Sequence, residues 1–222
     1  FGTNRLYQTS DGGGVWTAVS DDLTNNTGVI TTVSVSPVTN RVVWTGSNSG
    51  RVFVTKNAHE PGSVEWTNRS AGLPVRTVMM VAADPADAAT AYVAFSGFSG
   101  LANSIPGHVF RTTDYGANWT DISGDLPNVP VNDIALDPDL PGAIYIGTDI
   151  GVFMTSDGGT TWQPLMNGFP RTTVLSLKLH RRSRILRAAT HGRVPPTRRP
   201  SSGRRRRSGS RGSPSGARRC CC

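Results

Sequence analysis

Three carboxylates in this chain recur at matched positions: Asp11, Asp114 and Asp157 each lie in a T-x-D-x-G-x-x-W segment, spanning Thr9 to Trp16, Thr112 to Trp119 and Thr155 to Trp162. Hydrolysis by acid and base needs two carboxylates across one cleft. Carboxylates spaced one per repeat fall on separate turns and do not converge, so a structural role is expected for all three. His59, His108, His180 and His191 show no H-E-x-x-H, no paired spacing and no nearby cysteine. No metal site is therefore expected. A nucleophilic serine on a strained turn would call for G-x-S-x-G, which does not occur. The glycines fall in hairpin positions rather than between a strand and a helix, so no phosphate cradle and no cofactor are expected.

The elements that must position these residues follow from composition. Glycine accounts for 25 of 222 residues, while Lys and Glu number two each, which starves long surface helices of their usual residues. An all-β body is expected. No run of 18 apolar residues exists, so no membrane-spanning helix is expected. Phe1-Gly2-Thr3-Asn4-Arg5 shows no targeting signal, which suggests processing or a fragment. The net charge of +8 is unevenly placed: the first 192 residues carry 13 basic and 15 acidic groups and no cysteine, whereas Arg193 to Cys222 hold ten arginines, no acid and all three cysteines. Without disulfides, the body must stabilise itself by burying a core, for which about 190 residues suffice.

The repeat organises that body. A fourth, degenerate copy starts at Thr55-Lys56-Asn57 and reaches its tryptophan late, at Trp66. Ahead of the segments stand two further sets of strands. Val33 to Pro37, Val81 to Pro85 and Ile134 to Pro138 each end in proline, which cannot donate to a ladder, and Val174 to His180 is a fourth such run. After them come Val42 to Gly46, Ala91 to Phe95 and Ile144 to Gly147, then Arg51 to Val54, His108 to Arg111 and Gly151 to Met154, each leading into its T-x-D segment. A last strand opens at the tryptophan. Four short strands in about 45 residues match a propeller blade. Thr and Asp accept bonds from turn amides, Gly supplies positive φ, and the Trp ring is expected to fold into the blade packing.

On these residues the chain resembles the Asp-box, or BNR-repeat, β-propellers, which include sialidases, sortilin-type Vps10 domains, photosystem II assembly factor-like proteins and xyloglucanase-type glycoside hydrolases. The matching positions are Thr9, Asp11, Gly13 and Trp16; Thr112, Asp114, Gly116 and Trp119; and Thr155, Asp157, Gly159 and Trp162. The resemblance covers residues 1–193 and implies a fold more than a function. Three complete blades and two partial ones are expected, either as a fragment of a larger ring or as a closed four-blade ring in which the two ends share one blade. The family's secreted members imply a secreted or periplasmic bacterial protein.

Residues 194–222, rich in Arg, Ser, Pro and Gly, are expected to be a disordered tail. Three readings stand side by side: an out-of-frame translation, a solvated linker, or an arm binding nucleic acid nonspecifically through Arg204 to Arg207. The terminal Cys220-Cys221-Cys222 fits neither zinc spacing nor a prenylation box.

The resemblance places ligands on the face opposite the T-x-D turns. There the sequence gathers Arg76, Asn132, Asp133, Thr148, Asp149, Arg171 and the insertion Ser96 to Pro106, which carries Phe98, Leu101 and Ile105. Two function classes follow: a noncatalytic module binding a protein or glycan on that face, or a xyloglucanase-type hydrolase. The second rests on Gly147-Thr148-Asp149-Ile150-Gly151, similar to the T-D-I-G-G context of that family's catalytic carboxylate, although Val152 stands where the second glycine would be. Asp149 is the one weak catalytic candidate. Sialidase chemistry finds no nucleophile, because Tyr7, Tyr92, Tyr115 and Tyr145 all fall in strand or T-x-D positions.

Overall fold

A computed structural model describes residues 3–60, 62–99, 107–165 and 167–192. Among them every regular element is a strand. Strands β1 (Tyr7–Gln8) and β2 (Thr17–Ala18) pair alone. Next come three four-stranded antiparallel meanders: β3 (Ile30–Val35), β4 (Val43–Ser47), β5 (Val52–Thr55) and β6 (Thr67–Asn68); β7 (Val78–Ala83), β8 (Ala91–Phe95), β9 (Val109–Thr112) and β10 (Thr120–Asp121); β11 (Val131–Leu136), β12 (Ile144–Thr148), β13 (Gly151–Thr155) and β14 (Gln163–Pro164). Strands β15 (Thr173–His180) and β16 (Ile185–His191) form a second two-stranded sheet. The proline-closed runs are the first strand of each blade, as their composition predicts, and the T-x-D segments sit between the third and fourth strands.

Burial explains the strand types. The second strands β4 and β8 are buried along their whole length, covered on both faces by neighbouring sheets, which is why they read as continuous apolar and small-residue runs. First strands carry polar side chains inward for a different purpose. Thr31 Oγ1 donates to the Val78 carbonyl (2.5 Å), while the Val81 amide donates to Thr32 Oγ1 (3.3 Å) and the Ala83 amide to Ser34 Oγ (3.1 Å). Blades are thus stitched to one another through their first strands, and apolar clusters fill the space between sheets, as with Trp44, Val81 and Phe95 or Ile134, Ile146 and Trp162.

All four first strands share a register shift that the sequence did not announce, at Ile30/Thr32, Val78/Met80, Val131/Asp133 and Val174/Ser176. Such a bulge re-aims the extra side chain and strengthens the twist. The extra residue in β11 is Asn132.

The T-x-D turns behave as their chemistry predicts. In each, threonine Oγ1 donates to the Asp carboxylate at 2.7 Å and accepts the amide of Gly13, Gly116 or Gly159 at 2.9–3.0 Å. Asp11 then takes the amides of Gly14 and Val15, and Asp157 those of Thr160 and Thr161. The degenerate copy substitutes an amide: Asn57 Oδ1 accepts from Thr55 Oγ1 (2.9 Å) and the Glu65 amide (2.9 Å), and its Nδ2 donates to the Ser63 carbonyl (2.7 Å), which holds the longer turn together.

Two expectations are corrected. The closed four-blade ring does not form, because β1–β2 and β15–β16 belong to separate sheets. Trp16 does not enter blade packing: it is 60% exposed, whereas Trp162 is 5% exposed. Each inner tryptophan donates its indole to a carbonyl just after the fourth strand of the preceding blade, as Trp162 does to Ile122, and among the described residues no blade precedes β1–β2. The arginine-rich tail, and with it every reading of residues 194–222, lies outside the described residues, as do Leu101 and Ile105.

Candidate functional site

In an up-and-down meander, the turns joining second to third strands and the loops leading into first strands must lie on the side opposite the T-x-D turns. The predicted ligand residues occupy that side in two groups.

The first group surrounds the β12–β13 turn. Thr148 is buried; its Oγ1 donates to the Gly151 carbonyl (2.8 Å) and accepts the Ile150 amide (3.2 Å), which tightens the turn and turns Asp149 outward into solvent. Asp149 Oδ1 accepts a hydrogen bond from Asn132 Nδ2 (2.9 Å), and the same Nδ2 donates to the Val174 carbonyl (3.1 Å) of the next blade. The bulge in β11 is what lets Asn132 reach both. Asp133, one residue on, points the other way. It is buried, and its carboxylate accepts the amides of Ile134 (2.8 Å) and Leu177 (2.7 Å). Asp133 and Thr148 are therefore framework residues rather than ligand-facing ones, a correction that burial imposes. Arg171 is exposed on the loop leading into β15.

The second group holds the ends of the insertion. Arg76, half-buried, donates from Nη1 to the carbonyls of Ser96 and Gly97 (3.3 Å each) and from Nη2 to that of Gly107. Arg76 is thus also a clamp, gripping both ends of the loop it was expected to share a surface with. Burial draws its guanidinium below the ordinary value, opposed by Asp121. Behind it sits His108, buried, with Nδ1 3.5 Å from Arg76 Nη1 and Nε2 2.9 Å from Asn128 Oδ1. Asn128 Oδ1 also accepts the Ser99 amide (2.8 Å), so the tautomer that fits carries its proton on Nε2 and offers Nδ1 to Arg76. Burial pushes the imidazole pKa down, which favours this neutral form. Phe98 stands on the loop, 58% exposed.

No hydrogen bond or ion pair links the two groups among the described residues. His108 and Asn128 escaped sequence reasoning. The usable signal was positional, since His108 immediately precedes a third strand, where the other blades have Arg51 and a glycine.

Chemically, the face is short of proton-transfer groups. The T-x-D carboxylates are on the far side and are locked as anions: amide and side-chain bonds from Asn118, with Thr112 next, hold Asp114 down to about 2, and the Thr161 amide leads in depressing Asp157 further. Asp149 bonds a neutral amide, and Asp133, on the neighbouring strand β11, is buried and occupied.

No family description matches this chain. It is 26% identical over 177 residues to a xyloglucanase of Hypocrea jecorina (strain QM6a), spanning 79% of this chain and 18% of that protein. Among solved structures it is similar to a GH74 enzyme of Niastella koreensis, with a TM-score of 0.61 at 13% identity over 83% of this chain and 30% of that one. Its fold is that of a β-propeller. A further structural neighbour is the extracellular domain of a hybrid two component system from B. thetaiotaomicron, with a TM-score of 0.54 at 18% identity over 72% of this chain and 20% of that one. The chain spans less than a third of each of these relatives. No helix among the described residues is long and apolar enough to cross a membrane.

Proposed function

We propose that the chain is a noncatalytic propeller module of the Asp-box type that binds a protein or glycan on the face opposite its T-x-D turns. The observation that carries this reading is that the polar groups best placed for chemistry on that face are already engaged. Asp149 is tied to Asn132, Asp133 to two amides, His108 to Asn128 and Arg76, and Arg76 to three carbonyls. Asp133, His108 and Arg76, held this way, fix loop shape, leaving Phe98, Arg171 and the singly bonded, exposed Asp149 as the recognition set. The extracellular neighbour and the xyloglucanase support a secreted or periplasmic location. The test is capture on insoluble β-glucan and on an immobilised peptide array with Phe98→Ala and Arg171→Ala. Loss of capture in either variant supports the face; unchanged capture by both removes it.

A second reading has one observation in its favour: in the Thr148-Asp149-Ile150-Gly151 turn, Asp149 and Ile150 stand exposed at the end of a second strand, in a chain 26% identical to a xyloglucanase. On this reading the residues form half of a glycoside hydrolase cleft, with Asp149 as one carboxylate of the pair and the other supplied from elsewhere in a longer protein. Release of reducing ends from xyloglucan that disappears in Asp149→Asn would establish it; no release by the intact gene product would end it.

A further inference from the structure

On the T-x-D side, the three junctions between successive sheets from β3–β6 to β15–β16 carry equivalent side chains, which register lays over one another. The residue closing the first strand is Ser36, Asp84 or Asp137, each donating its amide to a carbonyl just ahead of the second strand, at Val42, Thr90 or Ala143. The second-strand aromatic is Trp44, Tyr92 or Tyr145, and opposite it on the third strand stands Val54, Arg111 or Met154.

Charge is handled differently at each junction. At the first, all three positions are uncharged, and Trp44 and Val54 are fully buried. At the last, the buried Asp137 carboxylate is joined by Arg184 of the following hairpin, whose Nη1 donates to Asp137 Oδ1 (2.8 Å) and whose Nη2 donates to Oδ2. The middle junction, between β7–β10 and β11–β14, has both charges and leaves them apart. Asp84 Oδ1 accepts the amides of Ala86 (2.8 Å) and Asp87 (3.2 Å), but Oδ2 meets the Tyr92 hydroxyl only at 3.5 Å. Arg111 lies over the same ring, its guanidinium carbon 5.9 Å from the ring centre. It is in no ion pair among the described residues, and its buried Nε has no hydrogen-bond partner. A buried donor on a charged group is costly without an acceptor, so the missing acceptor calls for a source.

One residue keeps the middle junction open. Arg184 stands just before Ile185 in its hairpin, and Gly142 holds the same position before Ala143; both have positive φ, +54° and +86°. Arg184 reaches back to Asp137, whereas Gly142 has no side chain to send toward Asp84. The space left is a cleft of about 140 Å³ lined by Asp84, Pro85, Tyr92, Arg111, Pro138 and Pro141. A cavity of about 150 Å³ holds one six-membered ring, so the cleft has room for a small molecule.

Asp137 also borders the cleft, but Arg184 already neutralises it. What remains on the walls is one carboxylate and one guanidinium, flanking the same tyrosine and each short of a partner. A simple anion would satisfy Arg111 and be repelled by Asp84, and a simple cation would do the reverse. A molecule with both an ammonium and a carboxylate meets each wall with its complement, through charge-assisted bonds about twice as strong as neutral ones. We infer that this cleft binds a small zwitterion, an α-amino acid, with its carboxylate on Arg111, its ammonium on Asp84 and its apolar carbons against the three proline rings. The site lies on the side opposite the candidate ligand face and shares no residue with it.

The test is titration of the full chain with L-alanine, followed by calorimetry and by backbone amide shifts in isotope-labelled protein, beside acetate, ethylammonium and glucose. L-alanine is expected to bind in the millimolar range and to shift the amides of Ala86, Gly142 and Gly158, which line the cleft. Acetate and ethylammonium should bind about tenfold more weakly or less. Arg111→Met, which installs the residue found at the equivalent Met154, and Asp84→Asn, which keeps an acceptor for the Ala86 and Asp87 amides, should each weaken L-alanine binding by about tenfold or more with unchanged far-UV circular dichroism. Acetate bound as tightly as L-alanine would reduce the cleft to an anion site, ethylammonium to a cation site and glucose to a site for neutral hydroxyls; each result overturns the zwitterion. So would no binding at about 50 mM, or shifts confined to other residues. Because the probes are compared on the unaltered chain, a variant that fails to fold leaves the test decisive.

Discussion

The inner blades and the two half-blades are written in nearly the same residues and differ in what surrounds them. Trp162 and Trp16 end the same segment, yet one ring is packed and bonded to Ile122 while the other faces solvent. Thr155 and Thr9 make the same bonds within their turns. Local hydrogen bonding is thus independent of position in the chain, whereas the energetic weight of a residue depends on whether a neighbouring blade is there to receive it.

That contrast can be broken by substitution. Trp162→Ala should cost about 3–5 kcal/mol in urea unfolding, because a buried ring and a bonded indole are lost together. Trp16→Ala should change stability by less than about 0.5 kcal/mol; equal losses would show that the turn, not the blade contact, sets the value. Asp133→Ala should cost about 1–3 kcal/mol by stranding the amides of Ile134 and Leu177. Asp149→Ala, on the exposed turn, should fall within about 0.5 kcal/mol, which separates framework from recognition on the candidate face.

The glycines sharpen the comparison further. Gly13 and Gly159 both have positive φ, +105° and +101°, but a Cβ on Gly159 would stand 2.5 Å from the Ile122 carbonyl oxygen, whereas one on Gly13 meets nothing closer than 3.9 Å. Gly13→Ala should cost about 1–2 kcal/mol from the left-handed backbone alone, and Gly159→Ala measurably more in the same unfolding assay. The smallest effect concerns acid. Asp114 is depressed to about 2 from 3.8 by its turn bonds, so its stabilisation is complete above about 4 and is lost as pH falls through about 2. Asp114→Asn should flatten the fall in melting temperature across that window, measured by circular dichroism.

Much of the fold was legible because it is local. Proline-closed first strands, apolar second strands and T-x-D turns each announce themselves within eight residues. The candidate face was legible only as a set of loops. Position alone marks Arg76, Asp133 and Thr148 as ligand groups, but the structure shows them bonded to backbone, because a polar side chain at a loop base meets unpaired carbonyls and amides before it meets solvent. His108 and Asn128 were missed for the same reason, since their partnership spans 20 residues and depends on where the insertion lands.

By itself the sequence determined strand order, blade size and turn chemistry, since these follow from residue type and from bonds closed within a few residues. Which turns are buried and which of the Asp133 and Asp149 carboxylates faces solvent were decided only in three dimensions. Those outcomes depend on the first-strand bulges and on contacts between blades some 45 residues apart, where packing rather than local preference chooses the side chain's environment.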